Sequence, residues 1–122
     1  MIKLNRIAYG GTQNKPTGDG STQSVERVVV NLTYAYDESG VADQVPGTDR
    51  AGLFLSVTAS DQSAAGSLHL QHGSEVTFDG AEHTADFTVT PYHGSSFPEG
   101  GVQAIAFFDA ADKDEATLHL SR

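Results

Sequence analysis

The sequence predicts an all-β protein: one antiparallel β-sandwich domain over residues 1–122, jelly-roll or immunoglobulin-like, with about eight strands and an extended polar N-terminal arm. Three observations carry that prediction. The run Thr84-Ala85-Asp86-Phe87-Thr88-Val89-Thr90 alternates with period two, placing Ala85, Phe87 and Val89 on one face of a strand and polar residues on the other. Similar runs recur along the chain with no helical period between them. Clusters of Gly, Pro, Asn, Asp and Ser separate these runs at turn spacings. For a chain of 122 residues and 12.8 kDa, size scaling gives a folded surface of roughly 6,300 Å² against roughly 18,500 Å² unfolded. That burial supports a core without staples. There is no Cys, which excludes disulfides, thiolate metal sites and thiol chemistry.

The elements follow in order. Ile2, Leu4 and Ile7 predict a short strand with a break in phase near Asn5-Arg6. Gly10 to Ser24 is rich in Gly, Pro and polar residues and lacks apolar anchors, so residues 10–24 are expected as a polar arm or long loop. Val25 to Tyr36 is the longest strand signal: Val28, Val30, Leu32, Tyr34 and Tyr36 share one face, and Val29, Asn31, Thr33 and Ala35 the other. Two turns, Asp37 to Gly40 and Val45 to Asp49, precede a strand with Ala51, Leu53, Leu55 and Val57 inward and Phe54 outward. Ser60 to Gly66 reads as a polar loop, Leu68 to His72 as a strand, and Val76 and Phe78 as a strand running into an Asp79-Gly80 hairpin turn. After the run ending at Pro91 comes a turn region from His93 to Gly101. Then Val102, Ala104, Ala106 and Phe108 form one strand face, with Ile105 and Phe107 on the other. Asp109 to Glu115 is a charged turn, and Ala116, Leu118 and Leu120 mark the last strand.

Net charge is −9 and unevenly spread: residues 1–60 carry five basic and six acidic side chains, residues 61–122 two basic and ten acidic. So few Lys and Arg argue against nucleic-acid binding, which needs cations to replace phosphate counterions. The acidic surface suits solubility or a basic partner, and its dispersed carboxylates suit a DNA mimic poorly. Met1 to Ala8, with Lys3 and Arg6, read as neither a signal peptide nor a membrane span, and no later segment is apolar enough to cross a bilayer. The expectation is therefore a protein made in the cytoplasm without a signal peptide, with no membrane partner.

Candidate sites are few. His72-Gly73-Ser74 and His93-Gly94-Ser95 pair Ser with His, but chain adjacency is not the geometry of nucleophilic catalysis, and no Gly-x-Ser-x-Gly elbow is present. No catalytic residue and no cofactor is assigned. His69, His72, His83 and His93 lie on neighbouring elements, as imidazole metal ligands would. However, His69 and His72 differ by an odd number, and His69 and His119 occupy the polar face in Leu-His-Leu contexts, where solvation is expected. Asp109, Asp112, Asp114 and Glu115 are weak Ca²⁺ candidates: they supply oxygen ligands but lack the EF-hand pattern and enclose Lys113. Tyr9, Tyr34, Tyr36 and Tyr92 would suit sugar stacking if they shared a surface, but Tyr34 and Tyr36 fall on the predicted core face.

These features point to a non-enzymatic structural or assembly module. Apolar residues on second strand faces (Val29, Phe54, Ile105, Phe107) and the polar arm call for a partner surface, with Tyr9, Thr12, Asn14, Pro16, Phe54 and Phe107 as contact candidates. In composition and architecture the chain resembles the small proteins that cement the capsids of tailed bacteriophages. That resemblance implies a virion or other extracellular assembly, with copies of itself and a capsid-like particle as partners. The alternative is a carbohydrate-binding or adhesive β-sandwich module, which would expose a row of aromatic or polar side chains on one sheet face or use Asp109 to Glu115 with Ca²⁺. An enzyme is disfavoured because no acid/base pair or nucleophile stands out.

Overall fold

The computed structural model describes residues 1–36, 52–71, 75–108 and 115–120, and all regular structure among them is β. Seven strands run in the order β1 (Ile2–Pro16), β2 (Thr22–Tyr34), β3 (Gly52–Ala59), β4 (Ala64–Gln71), β5 (His83–Val89), β6 (Val102–Phe108) and β7 (Glu115–Leu120). They form two antiparallel sheets, β1-β2-β5 and β4-β3-β6-β7. The inward faces meet in one core containing Val28, Val30, Leu32, Phe87 and Val89 from the first sheet and Leu53, Leu55, Val57, Leu70, Ala104 and Ala106 from the second. The total accessible surface is 6661 Å².

Period-two alternation places most of these residues as the sequence predicts. Leu32 and Leu53 are fully buried, and Phe87 and Val89 face inward while Thr84 and Asp86 are exposed. The phase break near Asn5 is a β-bulge: register against β2 shifts between Leu4 and Arg6. The extra residue lets Leu4 and Ile7, three apart, both turn inward. The surplus side chain, Asn5, goes outward and donates to Asn31 Oδ1 (2.9 Å) and Thr33 Oγ1 (2.7 Å). Asn31 Nδ2 donates on to Asp86 Oδ1 (2.9 Å), giving this outer face a hydrogen-bonded polar ladder across three strands.

Three expectations are corrected. Residues 10–24 are not a long loop: β1 runs to Pro16 and β2 begins at Thr22, so most of the segment is paired strand and only 17–21 form the turn. Strand pairing is a backbone property, which explains how a segment with almost no apolar residues joins a sheet. Residues 60–66 are not all loop either, since β4 starts at Ala64. Its inner edge comes so close to the other sheet that a Cβ on Gly66 would lie 2.6 Å from Thr90 O, so only glycine fits there.

The third correction concerns the strand count. Val76 and Phe78 make no regular strand, leaving seven among the described residues rather than eight. Both are nevertheless buried, Phe78 at 1% exposure. Phe78 sits edge-on to Tyr34 and Tyr36, with each pair of centroids 6.1 Å apart. The segment is held by Thr77 N–H to Tyr34 Oη (3.3 Å) and Gly80 N–H to Tyr36 O (2.9 Å). It closes one end of the core as a plug. Asp79-Gly80 does turn, with Gly80 at φ 84° and Asp79 Oδ1 accepting from Ala81 N–H at 2.9 Å.

Candidate functional site

The region with the most unusual local construction is the end of the sandwich where the β1–β2 hairpin meets the β3–β4 turn and residues 90–101. β5 pairs with β2 only over Val28 to Tyr34, whereas β1 and β2 stay paired out to Pro16↔Thr22. The hairpin therefore extends past its own sheet. A second register shift, between Tyr9 and Thr12, kinks it at the sheet boundary. Gly11 takes φ +81° there, and Arg27 Nε donates to Gly10 O at 2.6 Å. Gly10 is needed for space, since a Cβ would lie 2.7 Å from Val29 Cγ2. That contact also covers part of Val29, one of the apolar residues on a second face.

The hairpin tip is ordered by one carboxylate. Asp19 Oδ1 accepts from Ser21 N–H (3.0 Å) and from the hydroxyls of Thr17 and Ser21, and Thr17 N–H reaches Ser21 O at 3.1 Å. Gly18 and Gly20, at φ 91° and 92°, supply the left-handed positions the turn needs. The Ser21 and Thr17 hydroxyls, with the Ser21 amide, lower the Asp19 pKa from 3.8 to about 2.

Below the tip, residues 91–101 are clamped to the hairpin. Lys15 Nζ donates to Pro91 O (3.1 Å), Glu26 N–H to Ser95 O (2.7 Å), and Phe97 N–H to Glu26 Oε1 (2.9 Å). On the other side Tyr92 N–H donates to Ala65 O (2.9 Å), and the Tyr92 hydroxyl donates to Ser67 Oγ. Between these walls lies an open groove of about 310 Å³, bounded by Ser63 to Ala65 and by Pro91 to His93 and Ser96 to Glu99. Phe97 is buried, while Tyr92 is 48% exposed.

The sequence-predicted contact residues separate into two groups. Thr12, Asn14 and Pro16 are exposed along one face of the hairpin. Tyr9 lies nearer the sandwich and packs half-buried against the core. Phe54 is on the outer face of the four-stranded sheet, in register with His69 on β4 and with Phe107 on β6. Its ring stacks on His69, 4.2 Å between centroids and 4° from parallel. His69 is therefore not the solvated histidine expected: it is half-buried, and its Nε2 is buried without a hydrogen bond. His119 is exposed as expected.

The other candidate groups stay apart. His83 Nε2 is bonded to Asp79 Oδ1 at 2.8 Å, a contact that lowers the Asp79 pKa, and His93 is exposed in the 90–101 segment. No group of three His, Asp or Glu that could hold a metal occurs among the described residues. His72-Gly73-Ser74, Asp109, Asp112 and Asp114 lie outside the described residues, and Glu115 is the exposed first residue of β7. Of the four tyrosines, Tyr34 and Tyr36 are core and only Tyr92 is well exposed, so they make no common platform. Sequence reasoning missed Glu26, Asp19 and Phe97. Their roles depend on contacts between distant segments, except at Asp19, where Thr17-Gly18-Asp19-Gly20-Ser21 is a readable turn signal.

No protein-family model matches the chain, nor does any curated protein or solved structure.

Proposed function

We propose that this protein is a non-enzymatic assembly module, a small β-sandwich that docks on copies of itself, and on a larger capsid-like assembly, through its β1–β2 hairpin. The observation that carries this reading is that the hairpin is built rigidly where it contributes least to the domain's own core. From Thr12 to Ser24 its exposed side chains are polar apart from Pro16, yet its strands stay paired and its tip is tied through Asp19. A two-stranded ribbon is marginal alone, and here the Lys15 and Glu26 contacts brace it against residues 91–97. A preordered protrusion of this kind docks with little ordering entropy to lose. The stacked Phe54–His69 pair on the outer sheet face is a second surface, an aromatic one, of the kind that subunit contacts bury.

Our reading of the connectivity is the immunoglobulin-like plan rather than a jelly roll. It is supported by the first, second and fifth strands forming one sheet and the third, sixth and seventh lying in the other. The constant-type immunoglobulin arrangement keeps the fourth strand with the first, second and fifth; here it pairs with the third instead.

The absence of Cys makes a direct test simple. An environment-sensitive dye on Asn14→Cys should change emission as protein concentration rises and the hairpin enters a subunit contact. Emission independent of concentration, with and without capsid-like particles, contradicts the reading.

A further inference from the structure

We infer that the groove between the β3–β4 turn and residues 91–99 is a binding site for a neutral saccharide, with Tyr92 as its stacking platform. The inference goes beyond the assembly reading and does not depend on it. Sugar rings bind proteins by laying an apolar C–H face on the electron-rich face of an aromatic ring while their hydroxyls exchange hydrogen bonds at the rim. The groove supplies both. Tyr92 is the one tyrosine among the described residues that is well exposed, and its orientation is fixed at both ends, by its N–H on Ala65 O and its hydroxyl on Ser67. A ring held in this way stacks at low entropic cost. His93 is tilted 58° to it, 6.5 Å between centroids, so the two rings make a corner rather than a flat face.

Pro91 and Phe97 give the groove an apolar base, while Ser96 and Glu99 bring a hydroxyl and a carboxylate to its lining. Neither Ser96 nor Glu99 makes a side-chain hydrogen bond within the described residues, which leaves donors and acceptors for a ligand. At about 310 Å³ the groove has the volume of the smallest ligand sites and suits a mono- or disaccharide unit. Charge selects the class. Glu99 lines the groove of a chain with net charge −9, and no Lys or Arg lines it, so anionic sugars are disfavoured. A proline-rich peptide would require a row of aromatic ridges, and the groove offers one exposed aromatic ring beside His93.

The test is an NMR titration of the full chain with maltotriose, cellotriose and diacetylchitobiose in turn. At least one should shift the amides of Tyr92, His93 and Glu99 with a saturable, millimolar midpoint. Tyr92→Ala, at a surface position, should weaken that binding on the order of tenfold while core resonances such as Val30 and Leu32 stay in place. Tyr92→Phe, which keeps the ring and loses the Ser67 bond, should retain most of it. The inference is overturned if none of the three sugars shifts these amides, if Tyr92→Ala binds as tightly as the parent, or if only a proline-rich peptide or an anionic sugar binds.

Discussion

Glu26 holds Phe97 in place from a distance of 71 residues along the chain: its carboxylate Oε1 accepts the Phe97 N–H at 2.9 Å, and its own N–H donates to Ser95 O at 2.7 Å. Through this pair the hairpin and the 91–101 segment form one unit, with the Phe97 ring turned into the core. Glu26→Ala should destabilise the protein by about 1–2 kcal/mol in chemical denaturation, because the buried amide loses its acceptor. It should also raise amide exchange at Phe97 above that of the parent. Unchanged exchange there would mean that the Glu26 carboxylate does not hold the Phe97 amide.

Gly66 and Gly11 make a paired test of why glycine is used. At Gly66 the problem is space, with Thr90 O at 2.6 Å and Val89 Cγ1 at 2.8 Å from an added Cβ; at Gly11 it is only the positive φ, with nothing nearby. Gly66→Ala should cost about 2–3 kcal/mol, since backbone cannot move aside as a side chain can. Gly11→Ala should cost about 1 kcal/mol, the penalty for a left-handed non-glycine residue. Denaturation midpoints check the order, and equal losses would refute the close approach of β4 to Thr90.

Phe78 is the plug of the core although it belongs to no strand. Phe78→Ala should destabilise by about 3–5 kcal/mol, as for other large-to-small changes at fully buried aromatic positions. Phe54→Ala, on the half-buried outer face, should cost less than half of that. The comparison is made by thermal or urea unfolding.

The Asp19 tie sets a pH dependence for the hairpin tip. Its folded pKa is about 2 against an ordinary 3.8, the Ser21 and Thr17 hydroxyls being the main causes. A depressed carboxylate pKa stabilises the structure above the unfolded value and loses that contribution as pH falls through the folded one. The tip should therefore stay ordered at neutral pH and loosen between about pH 4 and pH 2. Because Asp19 is fully exposed, the readout is its carboxyl titration by NMR rather than global stability. Ser21→Ala should move the midpoint back toward 3.8.

Much of the sandwich is legible in the sequence because one buried face forces alternation, as in Ala85, Phe87 and Val89, and because Leu4 and Ile7 cannot both face inward without a bulge. The distal hairpin is not legible. Its strands bury no apolar face, so Gln13, Asn14 and Gln23, Ser24 carry no periodic signal while their backbones pair. The Val76–Phe78 segment alternates like a strand, yet Thr77 N–H goes to the Tyr34 hydroxyl, and the Gly80 N–H that follows goes to Tyr36 O, instead of forming a full ladder. The candidate site is the least readable part, since the groove exists only where residues 63–65 and 91–99 meet. Alternation puts Tyr34 and Tyr36 on the core face, where both pack against Phe78, but nothing in the sequence places Tyr92 against Ala65 and Ser67.

The central claim, assembly through the hairpin, is tested most directly by the mass of the native particle in solution. Light scattering should give a multimer for the full chain, and a monomer when residues 14–24 are replaced by a two-residue Asn-Gly turn closed by the Gln13↔Val25 pair, which keeps the β1–β2 register. A full-length protein that stays monomeric at every concentration and on mixing with capsid-like particles, or a shortened hairpin that assembles as the parent does, would contradict the account.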